Sequence, residues 1–338
     1  IMIKVRNIFF PFLLFLITNL FANQITNAND FVYDKNLTNY KYFSKVHKFK
    51  FISQGISLEM AYMYLPSNNK YKRTVTLLHG KNFTSNYWKE IALKLNSLGY
   101  AVLIPDQIGF GKSSKPLNYQ FTFEALALNT KKLLDSLNIT STQLIAHSMG
   151  GMLASRFTLI YADIISNLIL INPIGLENYL EYVEYRDISF FYKKELQLQP
   201  ENIINYQKKN YYDGNWNENY ELLASHLIGW INGEDWHSLA KISAKTYDMI
   251  FTGSVIEEFK KFKVPVSLIL GTRDRTGPGR NWKKTGVNYD LGRYDLLGKK
   301  VKKMNSNVNL IELEGLGHLP QIEDFELFYS ELEKVLQN

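Results

Sequence analysis

The stretch LIAHSMGGML, residues 144–153, decides the fold of this chain because it joins an apolar strand to an apolar helix through a single serine. Such a turn resembles the pattern G-x-S-x-G, a strand-to-helix elbow that presents its serine hydroxyl as a nucleophile. Ala146 stands where the pattern has its first glycine. Strand and helix pass close together at an elbow, so the position requires a small side chain rather than glycine as such. Ala146 and Gly150 are both small, and Ser148 is therefore a candidate nucleophile.

Short apolar runs elsewhere in the chain predict strands that are buried on both faces. Runs without polar alternation are typical of a parallel sheet. They occupy residues 74–78, 101–104, 143–146, 168–171, 264–270 and 308–313. Two further strands, at 46–52 and 57–64, are predicted before them around a turn at Gly55, since glycine permits tight backbone turns.

Segments with apolar residues at helical spacing alternate with these runs. Steps of three and four residues place one apolar stripe along each helix. The stripes comprise Trp88, Ile91, Leu95 and Leu98; Leu126, Thr130, Leu133 and Leu137; Leu153, Phe157, Ile160 and Ile164; and Phe325, Phe328, Leu332 and Val335. Strands that alternate with such helices predict an α/β fold with a mostly parallel, doubly wound sheet covered on both faces.

The alternation stops between residues 171 and 264. Residues 175–246 are helical in propensity and crowded with tyrosine, phenylalanine and tryptophan. An insertion of this length between two sheet strands is typical of a functional lid or a small separate domain. We predict a helical cap at 175–246, inserted into a core formed by residues 23–174 and 247–338.

Residues 1–22 have the pattern of a secretory signal peptide. Lys4 and Arg6 precede an apolar run at 8–17, and Ala22 offers a small residue for cleavage. A proline interrupts the run, which is shorter than the roughly 20 apolar residues of a membrane span. We therefore expect an exported protein, periplasmic or secreted, with no stable membrane span after signal removal. A retained N-terminal membrane anchor is the alternative.

Composition indicates a globular protein and argues against several kinds of partner. The 338 residues are 46% hydrophobic, enough for a sizeable core. The absence of cysteine excludes a disulfide framework and a thiolate metal site. The formal charge is +7, but the lysines are scattered, which favours a solvated surface over a nucleic-acid site. The six histidines show no metal-ligand spacing. We expect no metal, no cofactor and no nucleic-acid partner.

Three reactive residues each follow a predicted strand: Ser148, Asp274 and His318. Ligand sites in open α/β sheets lie outside the carboxyl ends of the strands, so we expect these side chains to meet. Asp290 and Asp295 are the other acids near Asp274. Both lie further along the following loop, and the position immediately after the strand favours Asp274.

The chain resembles the capped α/β-hydrolases, a group that includes esterases, proline iminopeptidases, cofactor-free haloperoxidases and carbon–carbon bond hydrolases. The resemblance runs from the first predicted strand to the C-terminus and is carried by HGKNF, PDQIGFGKSSKP, AHSMGGM, GTRD and GLGH. The α/β-hydrolases also have their catalytic residues in the order Ser, Asp, His along the chain. The resemblance implies that Ser148 is the nucleophile, His318 the general base and acid, and Asp274 the residue that orients and charges the histidine. It implies an oxyanion hole formed by the amides of Lys81 and Met149.

Five residues beside these are expected to support the site. His79 and His147 brace the loops by hydrogen bonds, since neither is the histidine that follows the last strand. Gly80 and Asn82 belong to the loop HGKNF, and Gly150 belongs to the elbow.

These features predict a serine hydrolase whose small-molecule substrate is a carboxylic ester with an apolar acyl or alcohol group, because the cap is aromatic. An aminopeptidase or a carbon–carbon bond hydrolase of the same fold stays open. Glu177, Glu181 and Glu184 could hold the amine of a peptidase substrate, but they equally suit a solvated helix face. The alternative outside enzymes is a hydrophobic-ligand-binding protein with an idle triad.

Overall fold

The structure, a computed structural model, describes residues 28–69 and 73–337, and the predicted signal peptide at 1–22 lies outside these ranges. Eight strands form one sheet in the order β1-β2-β4-β3-β5-β6-β7-β8. The strands are β1 (Val46–Ser53), β2 (Ile56–Leu65), β3 (Thr74–Leu78), β4 (Ala101–Pro105), β5 (Thr142–His147), β6 (Ile165–Ile171), β7 (Val266–Gly271) and β8 (Asn309–Leu313). Strand β2 pairs antiparallel with β1 and β4, and the remaining pairs are parallel. The mostly parallel sheet predicted from the sequence is confirmed.

Helices follow most of these strands. They are α1 (Lys89–Ser97), α2 (Phe123–Ser136), α3 (Met149–Ile160), α4 (Tyr179–Tyr182), α5 (Ile188–Glu195), α6 (Pro200–Asn210), α7 (Glu218–Ile231), α8 (Trp236–Thr252), α9 (Tyr294–Met304), α10 (Pro320–Glu323) and α11 (Phe325–Gln337). Helices α2, α3 and α9 bury their apolar stripes in one cluster, and α1 and α11 bury theirs in another. The two clusters lie on opposite faces of the sheet, as a doubly wound fold requires.

Successive residues of the central strands contribute to opposite clusters. In β5, Leu144 and Ala146 belong to the cluster of α2 and α3, whereas Ile145 belongs to the cluster of α1 and α11. All three are fully buried. Burial on both faces explains why the sequence shows continuous apolar runs instead of alternation.

Some predicted details are wrong at the ends of elements. The strand predicted at 264–270 begins only at Val266, because Pro265 has no N–H to donate to a ladder. Leu98 and Ile160, expected on buried stripes, are 40% and 45% exposed. Leu98 is the residue after α1, and Ile160 is the last residue of α3. Both stripes leave the core where their helices end.

Helices α4 to α8 all lie between β6 and β7, so the predicted helical insertion is present. Its last helix, α8, continues to Thr252, whereas the cap was expected to end at residue 246. Met249, Ile250 and Phe251 are buried in the main core cluster, which explains why the helix extends beyond that point. The predicted boundary therefore falls inside a helix, and the division into core and cap stays a prediction.

A segment of little regular structure, residues 28–45, ties this insertion to the sheet, and we call it the N-terminal strap. Tyr33 donates its backbone N–H to the Gly229 carbonyl of α7 at 2.9 Å. At the other end, the Tyr42 hydroxyl donates to Asp106 Oδ2 at 2.7 Å, just after β4. Between them, Leu37 is fully buried among side chains of α7 and α8.

Gly229 has a steric role in this arrangement. A Cβ at that position would overlap the Tyr33 ring. The missing side chain therefore allows the strap to lie against α7. Among the helices of residues 28–69 and 73–337, none combines the length and hydropathy needed to cross a lipid bilayer.

We predict that Leu37→Ala lowers the free energy of unfolding by about 2–5 kcal/mol, because it leaves a cavity at a fully buried site. Urea titration of purified protein measures the change. Val32→Ala is the matched control, since Val32 lies in the same strap but is 59% exposed. Equal unfolding midpoints for wild type and Leu37→Ala would show that the strap contributes no stability.

Candidate active site

Ser148 links β5 to α3 in a conformation that few residues other than glycine adopt. Its φ is 56° and its ψ is −121°. The surrounding backbone holds it there. The Ser148 N–H donates to the Ile171 carbonyl at 3.2 Å, and the Ser148 carbonyl accepts from the amides of Gly151 at 2.9 Å and Ile174 at 3.2 Å. Backbone outliers of this kind cluster at functional sites, where the surrounding structure fixes them.

Small neighbours make this elbow possible. A Cβ at Gly150 would overlap the Leu78 carbonyl oxygen and lie 2.7 Å from the His79 carbonyl oxygen. Position 150 therefore requires glycine. Ala146 is fully buried in β5. Its methyl group fits where the written pattern has glycine, so the departure from the pattern does not prevent the elbow.

Ser148, His318 and Asp274 come together at the carboxyl ends of β5, β8 and β7. His318 Nε2 lies 3.0 Å from Ser148 Oγ, and His318 Nδ1 lies 2.7 Å from Asp274 Oδ2. The serine is 7% exposed, and the other two residues are 1% or less exposed. The three side chains form one continuous hydrogen-bonded line, which is the geometry that nucleophilic catalysis by a serine requires.

The other two acids considered for this role pair with an arginine. Arg293 Nη2 lies 2.6 Å from Asp295 Oδ2, and Arg293 Nη1 lies 3.8 Å from Asp290 Oδ2. Asp295 is in the first turn of α9. The carboxylate beside His318 is the one immediately after a strand, as the position of Asp274 predicts.

Asn172 is a second side-chain partner of this carboxylate, on the same oxygen as His318, and sequence analysis missed it. Its Nδ2 donates to Asp274 Oδ2 at 2.9 Å, and its Oδ1 accepts from the Gly271 amide at 2.9 Å. The Thr276 amide donates to the other carboxylate oxygen at 2.7 Å. Asn172 directly follows β6, so the strand-end rule that singled out Asp274 could have found it.

His147 connects the elbow to two neighbouring loops. Its Nε2 lies 2.9 Å from the His318 carbonyl, so Nε2 carries the proton and donates. Its Nδ1 then accepts from the Tyr87 hydroxyl at 3.0 Å, and that hydroxyl accepts from the Gly80 amide at 3.3 Å. Burial lowers the pKa of His147 well below its ordinary value, which keeps the ring neutral in this network.

His79 makes a second bridge of the same kind. Its Nδ1 donates to the Gly80 carbonyl at 2.9 Å, and its Nε2 accepts from the Gln107 amide at 3.1 Å. Gly80 lies in the loop after β3, and Gln107 lies in the loop after β4. Burial lowers the pKa of His79 as well. Both histidines therefore connect loops by hydrogen bonds, and their supporting role at the site stays a prediction.

The loop after β3 lies against the serine. A Cβ at Gly80 would be 3.1 Å from Ser148 Cβ, so the backbone of this loop and the elbow are in contact. Asn82 Nδ2 donates to the Tyr211 hydroxyl at 3.0 Å, and the Tyr211 ring stacks on His318 with centroids 4.8 Å apart. Within residues 28–69 and 73–337, the Lys81 amide has no hydrogen-bond acceptor in the protein.

The Met149 amide stands at the first position of α3, directly after Ser148. In the part of the chain that the structure describes, it too has no protein acceptor. The N-terminus of a helix carries partial positive charge, which favours a negatively charged oxygen beside it. The two amides named from the sequence are thus unpaired among the described residues, one directly after Ser148 and the other directly after Gly80, whose backbone contacts the elbow.

A cavity of about 570 Å³ lies under the helical insertion. Lys81 and Asn82 form part of its wall, so one loop borders both the cavity and Ser148. The size is typical of a pocket for a small molecule. The aromatic residues of its wall are Phe110, Phe191, Tyr206, Trp230, Trp236, Tyr247, Phe251 and Trp282.

The acids considered for binding an amine are not in this wall. Glu177 is buried and accepts from the Gly292 amide at 3.0 Å. Glu181 accepts from Asn178 Nδ2 at 3.0 Å. Among the described residues, Glu195 is the carboxylate that lines the cavity, and sequence analysis did not single it out. The described residues contain no group of three or more His, Asp or Glu side chains arranged to hold a metal ion.

Comparisons with known proteins agree with this architecture. A family model described as the alpha/beta hydrolase fold matches residues 73–188. The crystal structure of a probable hydrolytic enzyme from Pseudomonas aeruginosa PAO1 superposes with a TM-score of 0.89 at 38% identity, covering 92% of this chain and 100% of that one. Lipase 1 of Psychrobacter immobilis is 23% identical over 274 residues, which are 77% of this chain and 76% of the lipase. A thermophilic esterase from Thermogutta terrifontis shares the fold, with a TM-score of 0.65 at 17% identity over 87% of this chain and 98% of that one.

We predict that Gly150→Ala destabilises the protein by about 1–3 kcal/mol, because its Cβ would overlap the Leu78 carbonyl oxygen. Ala146→Gly, the matched change on the other side of Ser148, is expected to cost only about 1 kcal/mol or less. Urea unfolding of both variants measures the two values. A Gly150→Ala variant as stable as wild type would contradict the steric account of the elbow.

Proposed function

The chain belongs to the α/β-hydrolase family, and on that premise we propose that it is a serine hydrolase that cleaves carboxylic esters carrying an apolar group. The hydrogen-bonded line from Ser148 through His318 to Asp274 is the observation that carries the proposal. A serine hydroxyl is a weak nucleophile until an adjacent base removes its proton. His318 is placed to be that base, and Asp274 is placed to fix its orientation.

In the proposed reaction, His318 Nε2 takes the proton of Ser148 while Oγ bonds to the ester carbonyl carbon. The tetrahedral intermediate collapses as the bond to the leaving alcohol breaks, and the His318 proton goes to that alcohol. A water molecule then attacks the acyl-serine. His318 accepts the water proton and returns it to Ser148, which releases the carboxylic acid.

We assign the oxyanion hole to the amides of Lys81 and Met149. A developing oxyanion needs donors that are already in place, because reorganising them during the reaction raises the barrier. The position of Met149 at the start of α3 and the contact of the Gly80 loop with Ser148 support this assignment.

The aromatic wall of the cavity favours an apolar acyl or alcohol group on the substrate. The relative named as a lipase supports an ester as the substrate. An aminopeptidase is less well supported, since Glu177 and Glu181 bind other protein groups.

We predict that Ser148→Ala lowers kcat for a panel of nitrophenyl esters by a factor on the order of 10⁴ to 10⁶. Wild type should also be labelled at Ser148 by a fluorophosphonate probe. Ser155→Ala is the matched control. Ser155 is a buried serine of α3, and it is not part of the hydrogen-bonded line of Ser148, His318 and Asp274. Full esterase activity in Ser148→Ala would disprove the proposal. If wild type binds the esters but is neither labelled by the probe nor able to cleave them, the result would favour a hydrophobic-ligand-binding protein.

We also propose that the protein is exported, on the strength of the pattern in residues 1–22. Expression of the full chain followed by mass spectrometry of the product tests this. A periplasmic or secreted chain that begins at Asn23 is the expected result. A membrane-bound product that keeps residues 1–22 would instead support the N-terminal anchor.

A further inference from the structure

The side chain of Lys81 lines the cavity under the insertion, where its Nζ contacts residues of α8. Its Nζ donates to Ser243 Oγ at 2.7 Å and lies 3.9 Å from the centre of the Tyr247 ring. An ammonium has three N–H donors. Within the described residues, Ser243 is the one hydrogen-bond acceptor that Nζ has. The ring face of Tyr247 is its other neighbour.

A second lysine, Lys115, has an ammonium whose hydrogen bonds are made to backbone carbonyls of the protein itself. Lys115 lies under the same insertion, 5.2 Å from the centre of the Trp230 ring. Its Nζ donates to the carbonyls of Gly111 at 2.6 Å and Ser113 at 2.8 Å. The Lys81 ammonium donates to no backbone carbonyl of the described residues. Its N–H donors other than the one bonded to Ser243 are therefore left for a ligand in the cavity.

No carboxylate of the described residues forms an ion pair with Lys81. Glu195 attracts it across the cavity, but the two groups are not in contact. A charge taken out of water without a close partner is costly, and a ligand that supplies the partner recovers that cost. Burial lowers the pKa of Lys81 to about 8, although the attraction of Glu195 raises it. The ammonium is thus still mostly protonated at neutral pH.

The charge of the cavity wall is positive overall. Its charged residues are Lys81, Lys194, Arg280 and Glu195, which are three cations and one anion. Its remaining titratable groups are the phenols of Tyr206 and Tyr247, whose pKa values are raised by burial. Phenylalanine, tryptophan, leucine and isoleucine side chains form much of the rest, together with neutral polar residues. Such a wall suits a ligand with an apolar body and one negatively charged group.

Given a serine esterase at Ser148, we propose that Lys81 binds an anionic group on the substrate, so that the preferred esters are amphiphilic anions. The ester carbonyl lies at the backbone amide of Lys81, and the negative group lies at its ammonium. A single residue would then contribute to the oxyanion hole through its main chain and to specificity through its side chain.

The probes are nitrophenyl half-esters of dicarboxylic acids of increasing chain length and the matched neutral amides, in which –CONH₂ replaces the free carboxylate. A second series carries the carboxylate on the alcohol side. Binding to Ser148→Ala by calorimetry is compared with binding to Ser148→Ala combined with Lys81→Met. Methionine keeps the length of the side chain and leaves the backbone amide in place. Lys89→Met is the control, since Lys89 is an exposed lysine at the start of α1.

We expect the anionic ester of best length to bind about ten- to a hundredfold more tightly than its neutral amide, as a charged hydrogen bond allows. Lys81→Met should abolish that preference, and Lys89→Met should leave it unchanged. The preference should also decline as the pH rises through about 8, because Lys81 then loses its proton.

Equal binding of anionic and neutral esters, or a preference that survives Lys81→Met, overturns the inference. If Lys81→Met weakens the binding of the anionic and the neutral probe equally, the inference is also overturned, because Lys81 then has only a structural role. Turnover by the enzyme with Ser148 intact is measured separately. A chain that binds the anion through Lys81 but never cleaves the ester would disprove the proposed esterase, and Lys81 would then be the anion-binding group of a binding protein.

Discussion

The crossing of α3 over the end of β3 sets the geometry on which the rest of the site depends. Position 150 has no room for a side chain, because the carbonyls of Leu78 and His79 occupy that space. The helix can therefore start immediately after the strand, and Ser148 takes a positive φ. Its hydroxyl is placed by the backbone rather than by the packing of its own side chain. A serine fixed in this way is held in one orientation before any ligand binds, which is the condition that an oriented reactive group requires.

Hydrogen bonds between buried rings and main-chain groups join the loops around this elbow. His147 contacts the loop of His318 on one side and, through Tyr87, the loop of Gly80 on the other. Each loop follows a different parallel strand, and parallel strands bring their carboxyl ends to one edge of the sheet. Low polarity strengthens such a network when all its members are satisfied. The elbow, the His318 loop and the Gly80 loop are thus joined through the neutral ring of His147.

Sequence patterns predict the parts of the molecule that depend on local periodicity or on strand ends. The buried strands, the elbow and the meeting of Ser148, Asp274 and His318 belong to this class. Asn172 directly follows a strand and belongs to this class too, although the sequence analysis did not single it out. Glu195 and the direction of the Lys81 side chain do not, because each depends on a contact with residues far away in the chain. The strap is a similar case. Its polar sequence resembles a linker, and contacts with residues far away in the chain, such as those of Leu37 and Tyr33 with α7, hold it in place.

The strap spans the molecule from the insertion to the sheet. Asn232, at the end of α7, donates its side-chain amide to the Ala28 carbonyl at 3.1 Å, so the described chain begins beside the helical insertion. The strap ends near Tyr42, whose hydroxyl donates to Asp106 in the loop after β4. Any movement of α7 away from the sheet would therefore have to break the contacts at one end of the strap.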